Sequence, residues 1–278
     1  MMNTRRKYLL WTTGGLAALV LVCAGVLWKG INGSPFDIDE TAYVYVRPGD
    51  SAEAVREQFC ALGGGSTRLY WRLANCLRPY QVHTGRYAIE PGTSFLRAYL
   101  ALQRGHQSPV RLTIPSVRTM NRLAGFLSHQ LMLDSAETAR QLGDSAVAAT
   151  YGYSTATLPA LFIPNTYEIY WDTSLGAFLQ RMQRENARFW EQEERHAAAE
   201  ALGMSHEEVI TLASIVDEET ANNSEKPRVA GLYLNRLQKG IPLQADPTVK
   251  FATGDPSLRR IRSEHLRIES PYNTYLHK

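Results

Sequence analysis

The sequence contains few of the residues that characterise several common classes of protein. It has only 3 cysteines in 278 residues, which excludes a disulfide-dense scaffold. Its 7 histidines form no H-x-x-x-H pair and there is no C-x-x-C motif, so no zinc site is indicated. Neither charge sign dominates, with 30 Lys and Arg against 27 Asp and Glu, and charge alone therefore does not indicate a nucleic-acid partner.

The overall composition is that of a folded protein. Hydrophobic residues make up 44% of the chain and charged residues 21%, which excludes a wholly disordered or collagen-like chain. The length predicts one large domain or two modest ones.

One long apolar run, from Tyr8 to Trp28, lies near the N-terminus and contains no charged residue. A helix rising about 1.5 Å per residue would cross the roughly 30 Å bilayer core over this run. The basic residues 5–7 precede it, so the positive-inside rule predicts a cytoplasmic tail (1–7), a single-pass transmembrane helix (8–28) and an extracytoplasmic body. The alternatives are a cleaved signal peptide or a lipoprotein signal, but no A-x-A site follows and the residues before Cys23 are not small.

After a Gly- and Pro-containing linker (29–40), residues 41–115 are predicted to form a small α+β module that begins β-α-α-β. Alternation predicts the strands, while capping residues and glycine stops predict the helices. The predicted strands are Thr41–Val46, Gly85–Ile89 and Val110–Ile114, and the predicted helices are Ser51–Leu62, Thr67–Leu77 and Thr93–Gln103. The module has no convergent acid, base or nucleophile, so a binding role is favoured. Cys60 and Cys76 could pair in an oxidising compartment, and their spacing neither demands nor forbids a bond.

Residues 116–278 are predicted to be mainly helical. Helices are expected over Thr119–Leu131 and Ser174–Glu200, and an aromatic, polar loop is expected over Leu161–Trp171. Ser205, followed three residues later by Glu208, is a capping box that starts a further helix. A second helix follows over Ser224–Leu237.

Three acids, Asp217, Glu218 and Glu219, end the helix that starts at Ser205. At 100° per residue, Glu218 points away from the apolar stripe of Val209, Leu212, Ala213 and Val216, whereas Glu219 lies about 20° from the direction of Leu212. A carboxyl group beside apolar neighbours loses solvation, its pKa rises, and it can then donate a proton near neutral pH. Glu219 is therefore the candidate general acid, the alternative being a glutamate that frays at a helix end.

Short, proline-stiffened loops predicted after this helix carry hydrogen-bonding groups of the kind that recognise sugars. These groups are Gln244, Asp246, Thr248, Tyr272 and Asn273. Amide, carboxylate and hydroxyl groups next to aromatic faces suit sugar recognition. The adjacent prolines are also ordinary turn signals, so the pattern alone leaves a binding role open.

The sequence resembles the MltG (YceG-like) endolytic murein transglycosylases. Leu212–Thr220 is similar to that family's A-S-I-[IV]-E-K-E-T helix. Further similar segments are Phe162–Glu168, Val229–Ala230, Asn235–Leu237, Leu243–Val249 and Pro271–Tyr275. The order of anchor, β-α-α-β unit and motifs agrees as well, so the resemblance covers essentially the whole chain.

The resemblance implies an α+β fold with a LysM-like module (41–115) and a mainly helical, lysozyme-like catalytic domain (116–278). It implies cleavage of the MurNAc–GlcNAc β-1,4 bond in peptidoglycan glycan strands, leaving 1,6-anhydro-MurNAc ends. It places the family's catalytic glutamate on Glu219, while Asp217 stands where the family usually has Glu. The residues that would position the strand or the glutamate are Ser214, Asp217, Gln244, Asp246, Thr248, Tyr272 and Asn273. No metal or cofactor is implied, and the implied partners are the glycan strands, the inner membrane and peptidoglycan synthases.

Family members continue beyond Y-N-T-Y with a G-L-P-P-G-P segment, whereas this sequence ends at Lys278. An incomplete catalytic domain is therefore expected, from either a fragment or a natural truncation. Two other functions stay open at this stage. One is a non-catalytic, membrane-anchored peptidoglycan-binding scaffold, and the other is a muramidase that uses water and leaves reducing ends.

Overall fold

The computed structural model describes residues 21, 24–25, 28–192, 194–255 and 257–277. Over these residues the fold is mixed α+β and mostly helical, with small two-stranded sheets. The chain divides into two compact units. Unit 1 runs to Leu112 and includes Phe126–Asp134 and Thr166–Leu175, and unit 2 comprises Thr113–Gly125, Ser135–Asn165 and the chain from Gly176 onward.

The regular elements have the following bounds. The strands are β1 (Ala42–Val46), β2 (Gly85–Ile89), β3 (Val110–Ile114) and β4 (Asn165–Ile169). The helices through unit 1 and into unit 2 are α1 (Ala52–Ala61), α2 (Ser66–Leu77), α3 (Phe95–Gln103), α4 (Met120–Gln130), α5 (Ser135–Leu142) and α6 (Ser145–Thr150). The later helices are α7 (Leu175–Glu191), α8 (Arg195–Leu202), α9 (His206–Glu219), α10 (Lys226–Gln238) and α11 (Asp246–Thr253), and short 3-10 turns cover Leu158–Leu161 and His265–Arg267.

The predicted β-α-α-β unit is confirmed in unit 1. Strands β1 and β2 pair antiparallel, with Ala42 opposite Ile89 and Val46 opposite Gly85. Because side chains alternate between the faces of a strand, Val44 and Val46 share one face, and both are fully buried. That face belongs to the hydrophobic core of unit 1.

The core of unit 1 is rich in aromatic rings. Phe59, Trp71, Phe95 and Tyr99 pack against one another, with ring centroids 5.1 Å apart for Phe59–Trp71 and 5.0 Å for Trp71–Tyr99. Tilted and edge-on contacts at these distances are the favoured geometries for aromatic pairs. The two thiols of this region, a buried one at Cys60 and an exposed one at Cys76, are free.

In unit 2, helix α9 packs against α10 and α11. The shared cluster contains Leu212, Val216, Tyr233, Leu243 and Ala245. The predicted capping box at the start of α9 is confirmed. Ser205 Oγ accepts from the Glu208 N–H at 3.2 Å, and the Ser205 N–H donates to Glu208 Oε2 at 2.8 Å.

Three local predictions were wrong. The single helix expected over Ser174–Glu200 is broken between α7 and α8, where Glu194 has a φ of 56°. The aromatic loop expected over Leu161–Trp171 contains β4, which pairs with β3 and so gains a ladder partner that is distant in sequence. The segment around Asp246 forms α11 because its proline falls in the first helical turn, where proline is tolerated.

Within the described residues, no helix is long and apolar enough to cross a membrane. Most of the predicted transmembrane segment, 8–28, lies outside the described residues, as does the whole of the predicted tail, 1–7.

Candidate functional site

Helix α9 ends in an acidic cluster that its own helix does not stabilise. The C-terminal end of a helix carries partial negative charge, so carboxylates there are unfavourable by a few tenths to about 1 kcal/mol each. Two of the three acids have a cation partner. Lys226 Nζ lies 2.6 Å from Asp217 Oδ1, and Arg118 Nη2 lies 2.5 and 2.6 Å from the two carboxylate oxygens of Glu218.

Glu219, the third acid, differs from its neighbours. Its carboxylate forms no ion pair within the described residues, and its Oε2 accepts a hydrogen bond from the Tyr233 hydroxyl at 3.2 Å. The prediction that Glu219 sits at the edge of the buried face is wrong, because the residue is exposed. Leu212 and Val216 are buried, but Ala213 is exposed too, so the buried face of α9 is narrower than the helical wheel indicated.

Tyr233 connects the apolar cluster to this carboxylate. Its ring belongs to the core between α9 and α10 and is only 5% exposed, while its hydroxyl reaches Glu219. Burial raises the pKa of Tyr233 to about 12, with further contributions from the charge of Glu219, the hydrogen bond to it and the charge of Asp246. The phenol is therefore a neutral donor throughout the physiological pH range.

A second tyrosine–carboxylate pair lies close by. The Tyr275 hydroxyl donates to Asp246 Oδ1 at 2.8 Å, and this hydrogen bond is the largest cause of the raised pKa of Tyr275. The charge of Glu219 also raises the pKa of Tyr275, and the charge of Asp246 raises that of Tyr233. The two carboxylates and two phenols therefore form one electrostatically coupled group.

Gln244 reaches this region with an unusual backbone. Its φ of 55° lies in the left-handed region, which costs a residue with a side chain about 1 kcal/mol or more. The Gln244 side-chain oxygen accepts from Arg236 Nη2 at 2.6 Å, and the Gln244 backbone N–H donates to the Thr274 carbonyl at 2.9 Å. A strained backbone of this kind persists only where surrounding contacts stabilise it, and here one hydrogen bond to the side chain and one from the backbone do so.

Thr248 and Asn273 hold the frame of the site. Thr248 is buried, and its hydroxyl lies 2.7 Å from the Ala245 carbonyl and 2.8 Å from the Thr274 hydroxyl. Asn273 is fully buried. Its amide donates to the carbonyls of Leu266 and Ile268 at 3.1 and 2.8 Å, and its oxygen accepts from the Tyr275 N–H at 3.0 Å.

The remaining candidates lie on the surface. Ser214 is exposed on α9 with its hydroxyl bonded to the Thr211 carbonyl at 2.7 Å, and it is about 140° around the helix from Glu219. Tyr272 is 49% exposed and packs edge-on against Phe251, which is 46% exposed, with ring centroids 4.9 Å apart. The structure thus places Asp246 and Gln244 with the tyrosine pairs, and Ser214 apart from them.

Sequence reasoning missed Tyr233, Arg236 and Phe251. A signal for Tyr233 was available, because it falls on the same helical stripe as Val229 and Ala230, and a buried phenol usually needs a hydrogen-bond partner. Nothing in the sequence identified Glu219 as that partner. Among the described residues, no group of three or more His, Cys, Asp or Glu side chains is placed to hold a metal ion.

Fold and site together define a two-unit α+β protein in which helix α9 ends at an exposed carboxylate, Glu219, that has a tyrosine partner and no ion pair among the described residues. A family model described as the YceG-like family matches residues 44–278, and the chain belongs to that family. A crystal structure of a YceG-like protein from Listeria monocytogenes has a similar fold, with a TM-score of 0.55 and 22% identity over 86% of this chain and 83% of that one.

Two curated relatives are named endolytic murein transglycosylase. The Bacillus subtilis protein is 40% identical over 72 residues, which are 26% of this chain and 20% of that protein. The Streptococcus pneumoniae R6 protein is 26% identical over 125 residues, or 42% of this chain and 22% of that protein. The matches therefore span about a fifth of the length of these relatives.

Proposed function

We propose that this protein is an endolytic peptidoglycan lytic transglycosylase, which cleaves the MurNAc–GlcNAc β-1,4 bond within glycan strands and leaves 1,6-anhydro-MurNAc ends. The observation that carries the proposal is Glu219, an exposed carboxyl group without a cation partner in the described chain, oriented by Tyr233. Membership of the YceG-like family and the names of the curated relatives support it.

In the first step, protonated Glu219 donates to the glycosidic oxygen as its bond to the anomeric carbon breaks. Positive charge grows on the MurNAc ring, and the leaving GlcNAc hydroxyl keeps the proton.

In the second step, the resulting Glu219 carboxylate accepts the proton of the MurNAc C6 hydroxyl as that oxygen attacks the anomeric carbon. The substrate supplies its own nucleophile, so one carboxyl group acts first as acid and then as base. The usual glycosidase needs a second carboxylate, either as nucleophile or to activate water. Here Asp246 is bonded to Tyr275 and Asp217 to Lys226, and neither is needed as a second reacting group.

The other site residues have supporting roles in this proposal. The exposed rings of Tyr272 and Phe251 offer apolar faces to sugar rings, while Gln244 and Asp246 offer hydrogen bonds to sugar hydroxyls. Thr248 and Asn273 position the loop that carries Tyr275. Asp217 stabilises the end of α9 through its ion pair with Lys226. Ser214 has no assigned contact with the other site residues, because its hydroxyl bonds to Thr211 of its own helix. An open surface of this kind suits an internal segment of a strand, as endolytic cleavage requires.

The same proposal assigns a LysM-like binding module to 41–115, a lysozyme-like catalytic domain to 116–278 and a membrane anchor to 8–28. The protein would act at the inner membrane on newly made peptidoglycan, with its catalytic domain outside the cytoplasm and peptidoglycan synthases as neighbours. The resemblance of the motifs supports these assignments.

The test is digestion of purified glycan strands, with products read by mass spectrometry. Anhydro-MurNAc ends are expected from the unmodified protein and not from Glu219→Gln. Glu218→Gln is the matched control, because it removes the neighbouring carboxylate on the same helix and should still produce anhydro ends. Anhydro ends that survive in Glu219→Gln would remove Glu219 as the acid.

Two other products would overturn the reaction itself. Reducing ends instead of anhydro ends would identify a muramidase that uses water. Co-sedimentation with insoluble peptidoglycan without any new ends, from a sample shown to be folded, would identify a non-catalytic binding protein.

A further inference from the structure

Unit 1 contains a cavity of its own. Its volume is about 520 Å³, and its lining includes Tyr45, Arg47, Arg86, His129 and Trp171. Every residue that lines it belongs to unit 1. The cavity is therefore a feature of this unit alone.

The cavity lies on the face of the β1–β2 sheet opposite the core. Tyr45 is directly opposite Arg86 in the antiparallel register, so their side chains share a face, while Val44 and Val46 point to the other. Tyr43 lies two residues before Tyr45 on the same face, and the Arg86 guanidinium stacks over its ring at 4.3 Å.

One wall of the cavity is aromatic and fixed. Trp171 is 8% exposed and meets the Tyr45 ring edge-on, with centroids 5.0 Å apart. The Trp171 carbonyl accepts from the Met132 N–H at 2.7 Å, which ties it to the segment after α4. The next residue, Asp172, accepts from Gln107 at 2.9 Å. The indole is thus held in place before any ligand arrives.

The cavity is positively charged. Arg47 forms no side-chain ion pair within the described chain, and Arg86 bonds only to the backbone carbonyls of Ser108 and Pro109. Asp134 also lines the cavity, so the two guanidinium groups and the one carboxylate together carry a formal charge of +1. Guanidinium groups bind carboxylates through charge-assisted, often bidentate, hydrogen bonds.

We propose that this cavity binds a carboxylate-bearing muropeptide, with the carboxylate on Arg47 and Arg86 and an apolar sugar or peptide face against Trp171 and Tyr45. The choice of ligand rests on the proposed function, because peptidoglycan combines sugar rings with peptide stems that carry free carboxylates. The site would hold the strand at unit 1 independently of the chemistry at Glu219.

The test is a calorimetric titration of the full-length chain carrying Glu219→Gln, which prevents turnover, with a disaccharide–pentapeptide muropeptide. Arg47→Gln removes an exposed guanidinium that has no side-chain partner in the part of the chain that the structure describes, and it should weaken binding at least about tenfold. Arg97→Gln, an exposed arginine of α3, is the matched control and should bind like the parent. Arg86→Gln is the second variant and should weaken binding similarly.

Two further probes separate the sources of the signal. The free pentapeptide should bind with the same dependence on Arg47, whereas a neutral chito-oligosaccharide should bind equally to Arg47→Gln and Arg97→Gln. Equal muropeptide affinity in those two variants would overturn the site. Arg47-dependent binding without cleavage by the unmodified protein would refute the proposed function but not this binding site. Cleavage without Arg47-dependent binding would refute this binding site but not the proposed function.

Discussion

Replacing Tyr233 with phenylalanine removes one oxygen atom and leaves the packing of its ring intact. The ring is 5% exposed within the core of α9 and α10, and its hydroxyl makes the 3.2 Å hydrogen bond to Glu219. A hydrogen bond to a charged group contributes about 1.5–3 kcal/mol, and water can replace the lost donor at an exposed carboxylate. We therefore expect a loss near the lower value, about 1.5 kcal/mol, which corresponds to a fall of about tenfold in kcat.

The expected change is in kcat, with KM altered less than about twofold, because Tyr233 positions Glu219 and does not contact the strand. The assay is the release of anhydro-MurNAc ends at several strand concentrations. Tyr151→Phe is the matched control, since its hydroxyl donates to the Gly176 carbonyl at 3.4 Å elsewhere in unit 2. An unchanged kcat in Tyr233→Phe would refute the positioning role, and a raised KM at constant kcat would show that the phenol contacts substrate instead.

Other substitutions test the residues that support the site, and their effect on the free energy of unfolding is measured by urea or thermal unfolding. Asn273→Ala should destabilise unit 2 by about 2–3 kcal/mol, because it leaves two carbonyls and one N–H without their buried partner. Leu212→Ala should cost about 2–4 kcal/mol through a core cavity, and Ser205→Ala about 1 kcal/mol through loss of the capping box. Burial raises the pKa of Tyr233 and of Tyr87 to about 12, so the folded state favours the neutral phenols. The free energy of unfolding should therefore be unaffected by the titration of these two tyrosines below pH 10. It should decrease by about 2 kcal/mol for each of them as the pH rises from 10 to 12, and the decrease should be smaller in Tyr233→Phe.

Local signals predicted most of the secondary structure. The strands of unit 1 follow from alternation, and the start of α9 follows from the Ser205–Glu208 capping box, because both depend on residues close in sequence. Strand β4 was missed because its partner, β3, lies about fifty residues earlier in the chain. A strand of five residues gains its stability from such a partner more than from its own composition.

The site was predicted less completely than the fold, because its character depends on partners from other elements. The sequence shows three adjacent acids, but it does not show that Lys226 from α10 neutralises Asp217 or that Arg118 neutralises Glu218. The helical wheel indicated Glu219 because it placed that residue at the edge of the buried face, yet the residue is exposed, while the resemblance to the family indicated the same residue separately. The structure retains it as the candidate for a different reason, namely that Tyr233 is its partner where its neighbours have cations.

Several locally unfavourable features lie together on α9, α11 and the segments beside them. Carboxylates occupy the negative end of a helix, Gln244 has a positive φ, and the rings of Phe251 and Tyr272 are exposed to water. Each feature costs stability and none is required by the packing of the cluster around Leu212 and Val216. Departures from local preference are expected where a surface serves a ligand, so their proximity supports a binding and reacting surface over a frayed helix end.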